Sequence, residues 1–155
     1  MSRTKNIRRK VRYSLVFRFV QFLISLSNII PRITWLKLNS KLGRIAYAFA
    51  IETRKLVIQH LTIAFEKEKD DKEIRMLSRS VFEFLGKNTG EMLRATRVKT
   101  LADLERFLVT DGLENYERAI AKGKGVIFLT CHLGAFDLQV SNMALRGLNP
   151  NIIGT

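Results

Sequence analysis

Cysteine, histidine and proline are nearly absent from this chain of 155 residues: one Cys, two His and two Pro. A lone Cys131 excludes an internal disulfide framework and a thiolate zinc cage. With only His60 and His132 beside it, no metal site is expected. Two prolines and nine glycines exclude collagen-like or linker-rich character. Acid is scarce in one place. Residues 1–60 hold Glu52 alone against 13 Lys and Arg, whereas residues 61–155 hold 13 acids against 14 bases. Nearly all of the +13 net charge therefore lies in the first 60 residues. Such asymmetry points to a polyanion or an anionic membrane contacted by the N-terminal part. An apolar fraction of 46% and a charged fraction of 26% fit one folded domain of ordinary size.

Residues 3–12 carry six bases and no acid, and an apolar run from Tyr13 to Ile30 follows, ended by Pro31. Eighteen residues would barely span a bilayer, and Arg18, Gln21 and Asn28 interrupt them. No small-residue cleavage site follows, which argues against a signal peptide. Residues 1–31 read as a basic leader and an anchoring helix that lies in the interface of an anionic membrane. The competing reading is a core helix with a solvated basic tail.

Residues 33–65 continue with helical spacing, through Leu42, Ile45, Ala46, Phe49, Leu56, Val57 and Leu61. His60, on or beside that stripe, is assigned no chemistry. Glu66 to Lys72 reads as a charged turn in which Asp70 or Asp71 caps the next helix and Glu73 complements its positive end. Ile74, Leu77, Val81, Leu85 and Met92 then give an apolar stripe. Gly86 and Gly90 either weaken that helix or allow close packing.

From residue 100 the pattern changes. Phe107–Thr110 is short and β-prone, Leu113–Lys122 is an amphipathic helix with Tyr116, Ala119 and Ile120 inward, and Gly123 is placed to end it. Gly125–Thr130 is a continuous apolar run of the kind found in a strand buried on both faces. A helix over Gly134–Arg146 and a strand starting at Asn151 complete a β-α-β-α-β order. The expected fold class is α/β: N-terminal membrane-associated helices, then the start of a mainly parallel sheet with flanking helices. About three strands make a poor stopping point for such a sheet, so residues 32–155 are expected to be the N-terminal part of a longer domain, inactive alone.

Polar groups gather after the buried run, at Thr130-Cys-His-Leu-Gly-Ala-Phe-Asp137. Across a strand–loop–helix reversal, eased by Gly134, the Asp137 carboxylate can meet the His132 imidazole. A carboxylate on one ring nitrogen fixes the tautomer and leaves the other nitrogen free as a base. The alternative is a helix-capping aspartate beside an incidental histidine. Cys131 neighbours His132 on an extended segment, where side chains alternate, so it reads as a small apolar residue rather than a nucleophile. Lys122-Gly-Lys-Gly125 lacks the spacing of a phosphate-binding loop. No nucleic-acid-binding signature accompanies the basic end, and no nucleic acid is expected as a partner.

The block Gly123–Leu138 resembles the first motif of the bacterial lipid A biosynthesis acyltransferases, within the lysophospholipid acyltransferase superfamily. The upstream order is similar too: a basic start, an apolar anchor, then Arg54–Phe65 and a long helix reaching Glu91. His60 stands where that family usually has asparagine, and His132-Leu-Gly-Ala-Phe-Asp137 where it commonly reads H-x-G-N-W-E. The resemblance implies an acyltransferase using an acyl carrier protein or other acyl thioester as donor. The implied acceptor is a hydroxyl of a membrane glycolipid or lysophospholipid, at the cytoplasmic face of the inner membrane. It implies His132 as general base, Asp137 as its orienting carboxylate, direct attack without an acyl-enzyme, and no cofactor. A non-catalytic basic peripheral membrane protein is the alternative.

Overall fold

The computed structural model describes residues 3–65, 68–131 and 133–151. They form seven helices: α1 (Arg3–Ile29), α2 (Arg32–Phe49), α3 (Ile51–Phe65), α4 (Asp71–Ala95), α5 (Leu101–Glu105), α6 (Leu113–Ile120) and α7 (Asp137–Leu145). They divide into two compact units, Met1–Thr96 and Arg97–Thr155.

In the first unit α4 is the central element, packed against α1, α2 and α3. Of the two candidate caps, Asp70 starts it, in a reciprocal arrangement with Glu73: the Glu73 N–H donates to the Asp70 carboxylate (2.8 Å) and the Asp70 N–H to the Glu73 carboxylate (3.0 Å). Pro31 separates α1 from α2, and its carbonyl accepts from Trp35 N–H at 2.9 Å, which opens the second helix. The expected continuous helix over 33–65 is two helices, broken at Ala50. The Arg54 guanidinium donates to the Tyr47 carbonyl at the break (3.3 Å), and Arg54 and Arg79 both lie over the Tyr47 ring.

The buried faces differ in part from those the apolar spacing predicts, although Ile74 is buried as expected. Inside α2 lie Trp35, Asn39 and Gly43, and inside α4 lie Ile74, Ser78, Phe82, Gly90 and Glu91. Leu42, Ile45 and Phe49 of α2, and Leu85 and Met92 of α4, are exposed. Small residues decide the outcome. A Cβ on Gly43 would overlap the Phe82 carbonyl, and one on Gly86 would overlap the Asn39 carbonyl. Two backbones that approach this closely leave no room between them for leucines, which turn outward. Of the two roles open to Gly86 and Gly90, close packing is the one observed.

Buried polar groups fasten the same faces. Trp35 Nε1 donates to the Gly90 carbonyl (3.0 Å) and Asn39 Nδ2 to the Trp35 carbonyl (2.9 Å). Arg32 is ion-paired with Glu91. Arg94 of α4 donates to the Ser27 carbonyl, and to the Ile30 carbonyl at 2.9 Å, satisfying the open C-terminus of α1.

The second unit has a small core, with Leu104 of α5 and Leu138 of α7 buried. Here the α/β expectation is overturned: among the described residues there is no strand and no sheet. Phe107–Thr110 and Gly125–Thr130 are irregular, Asn151 is outside any element, and 152–155 lie outside the described residues. The physical reason is that an apolar run signals a preference for burial, whereas a strand is defined by a ladder of backbone hydrogen bonds. Among the described residues the backbone of 125–130 bonds to no other segment. Ile127 and Leu129 are 90% and 96% exposed, and the stacking of Phe128 on Tyr116 (5.5 Å) ties the run to α6. Tyr116 and Ala119 are half-buried as expected, but Ile120 is exposed.

Gly86→Ala tests the close packing. Alanine favours a helix by about 1 kcal/mol over glycine, but the added methyl must displace the Asn39 carbonyl. Overpacking typically costs about 1–3 kcal/mol. Denaturant unfolding should therefore show a net loss of stability; a gain would mean that the helices separate at no cost.

Candidate active site

The predicted site falls in the second unit. Cys131 is exposed, and His132 lies outside the described residues. The Leu133 N–H donates to the Cys131 carbonyl at 2.8 Å. Gly134 has φ +67°, a left-handed conformation that a side chain would strain, so the reversal expected there uses the residue suited to it. α7 begins three residues later, with the N–H groups of Leu138 and Gln139 donating to the Ala135 and Phe136 carbonyls (both 2.9 Å).

Asp137 is the first residue of α7 and is half-buried. The helix-cap position belongs to Phe136, and no side chain caps this end. Among the described residues the Asp137 carboxylate has no hydrogen-bond or ion-pair partner. It stands in the first turn, where the helix dipole favours a negative charge. The arrangement leaves a carboxylate whose acceptor oxygens are not consumed by its own helix.

A second set of polar residues has no periodic signature in the sequence. Asn142 of α7, buried, donates to Thr110 Oγ1 (2.9 Å) and accepts from Arg146 Nε (3.0 Å). Arg146 reaches Glu105 on α5 at 2.9 Å. On the outer side, Thr130 Oγ1 donates to Gln139 Oε1 (2.7 Å), tying the stretch before Cys131 to α7. These contacts span four to 41 residues and hold α7, and with it Asp137, in place. Only their polar character was visible beforehand.

Among the described residues no group of His, Cys, Asp and Glu could hold a metal ion. No helix among them is long and apolar enough to cross a membrane. His60 is exposed on α3, away from any buried face.

Residues 1–151 match the sequence profile of bacterial lipid A biosynthesis acyltransferases, and the chain belongs to that family. No curated protein and no solved structure matches it.

The α5 start gives a pH prediction for this unit. Thr100 Oγ1 donates to the Asp103 carboxylate (2.9 Å), and the Lys99 and Thr100 N–H groups do so at 3.2 and 3.1 Å. These bonds hold the Asp103 pKa below its ordinary 3.8, the Thr100 hydroxyl contributing most. With the folded value depressed, the unfolded chain binds the proton more readily. The cap's contribution is thus complete above about pH 3.8 and lost as pH falls through the lower folded value. A carboxyl NMR titration should place the Asp103 midpoint below that of a model peptide, and Thr100→Val should raise it.

Proposed function

We propose that the protein transfers a fatty acyl group from an acyl carrier protein, or a related thioester, to a hydroxyl of a membrane glycolipid such as a lipid A precursor. Membership of the family supports the reaction class. The observation that carries the assignment of residues is the half-buried Asp137 carboxylate, unclaimed among the described residues and five positions after His132. In this reading His132 takes the proton from the acceptor hydroxyl as its oxygen attacks the thioester carbonyl. Asp137 holds the ring tautomer and balances the imidazolium. Collapse of the tetrahedral intermediate breaks the carbon–sulfur bond, and the departing thiolate recovers the proton from His132. The products are an ester and a free thiol, and no residue is acylated.

Measured in the active enzyme, His132→Ala should reduce turnover by about 10²–10⁴-fold, the usual worth of general base catalysis. Asp137→Asn should be severely impaired, Asp137→Glu should keep part of the activity, and Cys131→Ser should stay near wild type. Trapping an acyl group on Cys131 would replace direct attack by a thioester mechanism. Unchanged turnover in all these variants would make the cluster structural.

The same reading places residues 1–31 at an anionic membrane surface, on the cytoplasmic face of the inner membrane. Support comes from α1. Lys10, Ser14, Arg18, Gln21, Ser25 and Asn28 recur every three or four residues and form one narrow polar stripe. The remaining surface includes exposed Leu15, Phe17, Phe19 and Phe22. A helix with so narrow a polar stripe sinks deeply into the headgroup boundary while its basic end stays among the phosphates. Removing residues 1–30 should move the protein from the membrane pellet toward the soluble fraction. Replacing Arg8, Arg9, Lys10 and Arg12 by Gln should weaken binding to anionic vesicles more than to neutral ones. An equal loss on both would leave the charge without a role.

A further inference from the structure

The membrane reading so far rests on α1. The shape of α2 extends it. Its buried face carries Trp35, Asn39 and Gly43 against α4. A second face carries Leu38, Leu42, Ile45 and Phe49, spaced by four, three and four, which places them in one row. All four are exposed, by 42%, 53%, 54% and 80% in chain order. Beside that row runs a third face with Lys37, Lys41 and Arg44, also exposed, and α2 contains no acid at all. The nearest neutralising contact is a 3.7 Å pair of Arg44 with Glu83.

We infer that α2 is a second lipid-contacting element, seating Leu38, Leu42, Ile45 and Phe49 in the acyl boundary of an anionic membrane while Lys37, Lys41 and Arg44 engage its headgroups. Charge decides the occupant. A row destined for a protein core would gain nothing from an unbroken cationic border, whereas an interfacial helix combines an apolar face with Lys and Arg on its polar side. The interior of the unit agrees. Beside Trp35, Ile74 and Phe82, the buried positions of α2 and α4 include Asn39, Gly43, Ser78 and Gly90, while Leu42, Phe49, Phe84 and Leu85 face outward, a use of small buried residues and outward apolar ones that suits apolar surroundings.

The test uses the entire chain with Cys131→Ser. A polarity-sensitive fluorophore is attached at Leu42→Cys, at Phe49→Cys or, as a reference, at Lys72→Cys, an exposed site in the first turn of α4. Vesicles of phosphatidylglycerol and phosphatidylcholine, with bromines on the acyl chains, serve as quencher. The α2 labels should be quenched and blue-shifted, the Lys72 label much less. Each cation near an anionic surface is worth about five-fold in binding, so Lys37→Gln with Lys41→Gln should lower affinity for these vesicles ten-fold or more. The same pair should leave affinity for pure phosphatidylcholine nearly unchanged. Circular dichroism at wild-type strength verifies folding, since none of the substituted α2 positions is buried. Labels that are blue-shifted without lipid and unaffected by bromine would show that protein covers the row, and would overturn the inference. Labels that stay water-exposed on bound vesicles would overturn it equally. Either result leaves the α1 and acyl-transfer readings untouched, because those are read by truncation and by turnover.

Discussion

The first unit depends on one constraint: the backbones of α2 and α4 touch. Gly43 meets the Phe82 carbonyl, and Gly86 meets the Asn39 carbonyl, at distances that admit no side chain. The other features follow from that contact. Trp35 is near enough to donate to the Gly90 carbonyl, Asn39 is confined beside it, and Leu42, Ile45, Phe49, Leu85 and Met92 are left on the outside. The unit thus combines Trp35, Ile74 and Phe82 with small and polar residues in a narrow interior, and leaves many apolar side chains on its exterior. Hydrophobic burial, which drives most folding in water, is only partly used here.

The polar contacts at the end of α4 have a different task from the packing. Glu91 pairs with Arg32 just after Pro31, and Arg94 binds the last carbonyls of α1 just before it. One turn of α4 therefore grips the joint between α1 and α2 from both sides. Two charges of opposite sign, three residues apart, settle where the chain turns. In the second unit Arg146 and Asn142 do comparable work, joining α7 to α5 and to Thr110.

The helices were legible where local chemistry decides them. Asp70 and Glu73 announce the start of α4, Pro31 parts α1 from α2, and Gly134 marks the reversal before α7. The inward faces were legible only in part: Ile74 of the expected stripe is buried, but Leu42, Leu85 and Met92 are not, because periodicity ranks residues by apolarity and cannot see that Gly43 and Gly86 must touch backbone. The break at Ala50 has no proline or glycine to signal it; it is stabilised by Arg54 and the Tyr47 ring, contacts that exist only once three helices have met. The strand expected over 125–130 failed for a related reason. Its residues are apolar enough for a sheet, but pairing is a property of two segments, and among the described residues no second one reaches it. At the candidate site the sequence supplied the residue types and their spacing. It could not show that Phe136, and not Asp137, occupies the cap position of α7.

The grip on α1 has an evolutionary consequence. Arg94 holds carbonyl oxygens, which every residue possesses, so the attachment recognises where a helix ends and not which side chains it carries. The outer turns of α1 are then free to drift in composition. Leucine, phenylalanine or valine would serve alike, provided the helix stops ahead of a proline and a small residue occupies the fully buried Ser27 position. The outward surface of such a helix can change while its attachment to α4 stays the same.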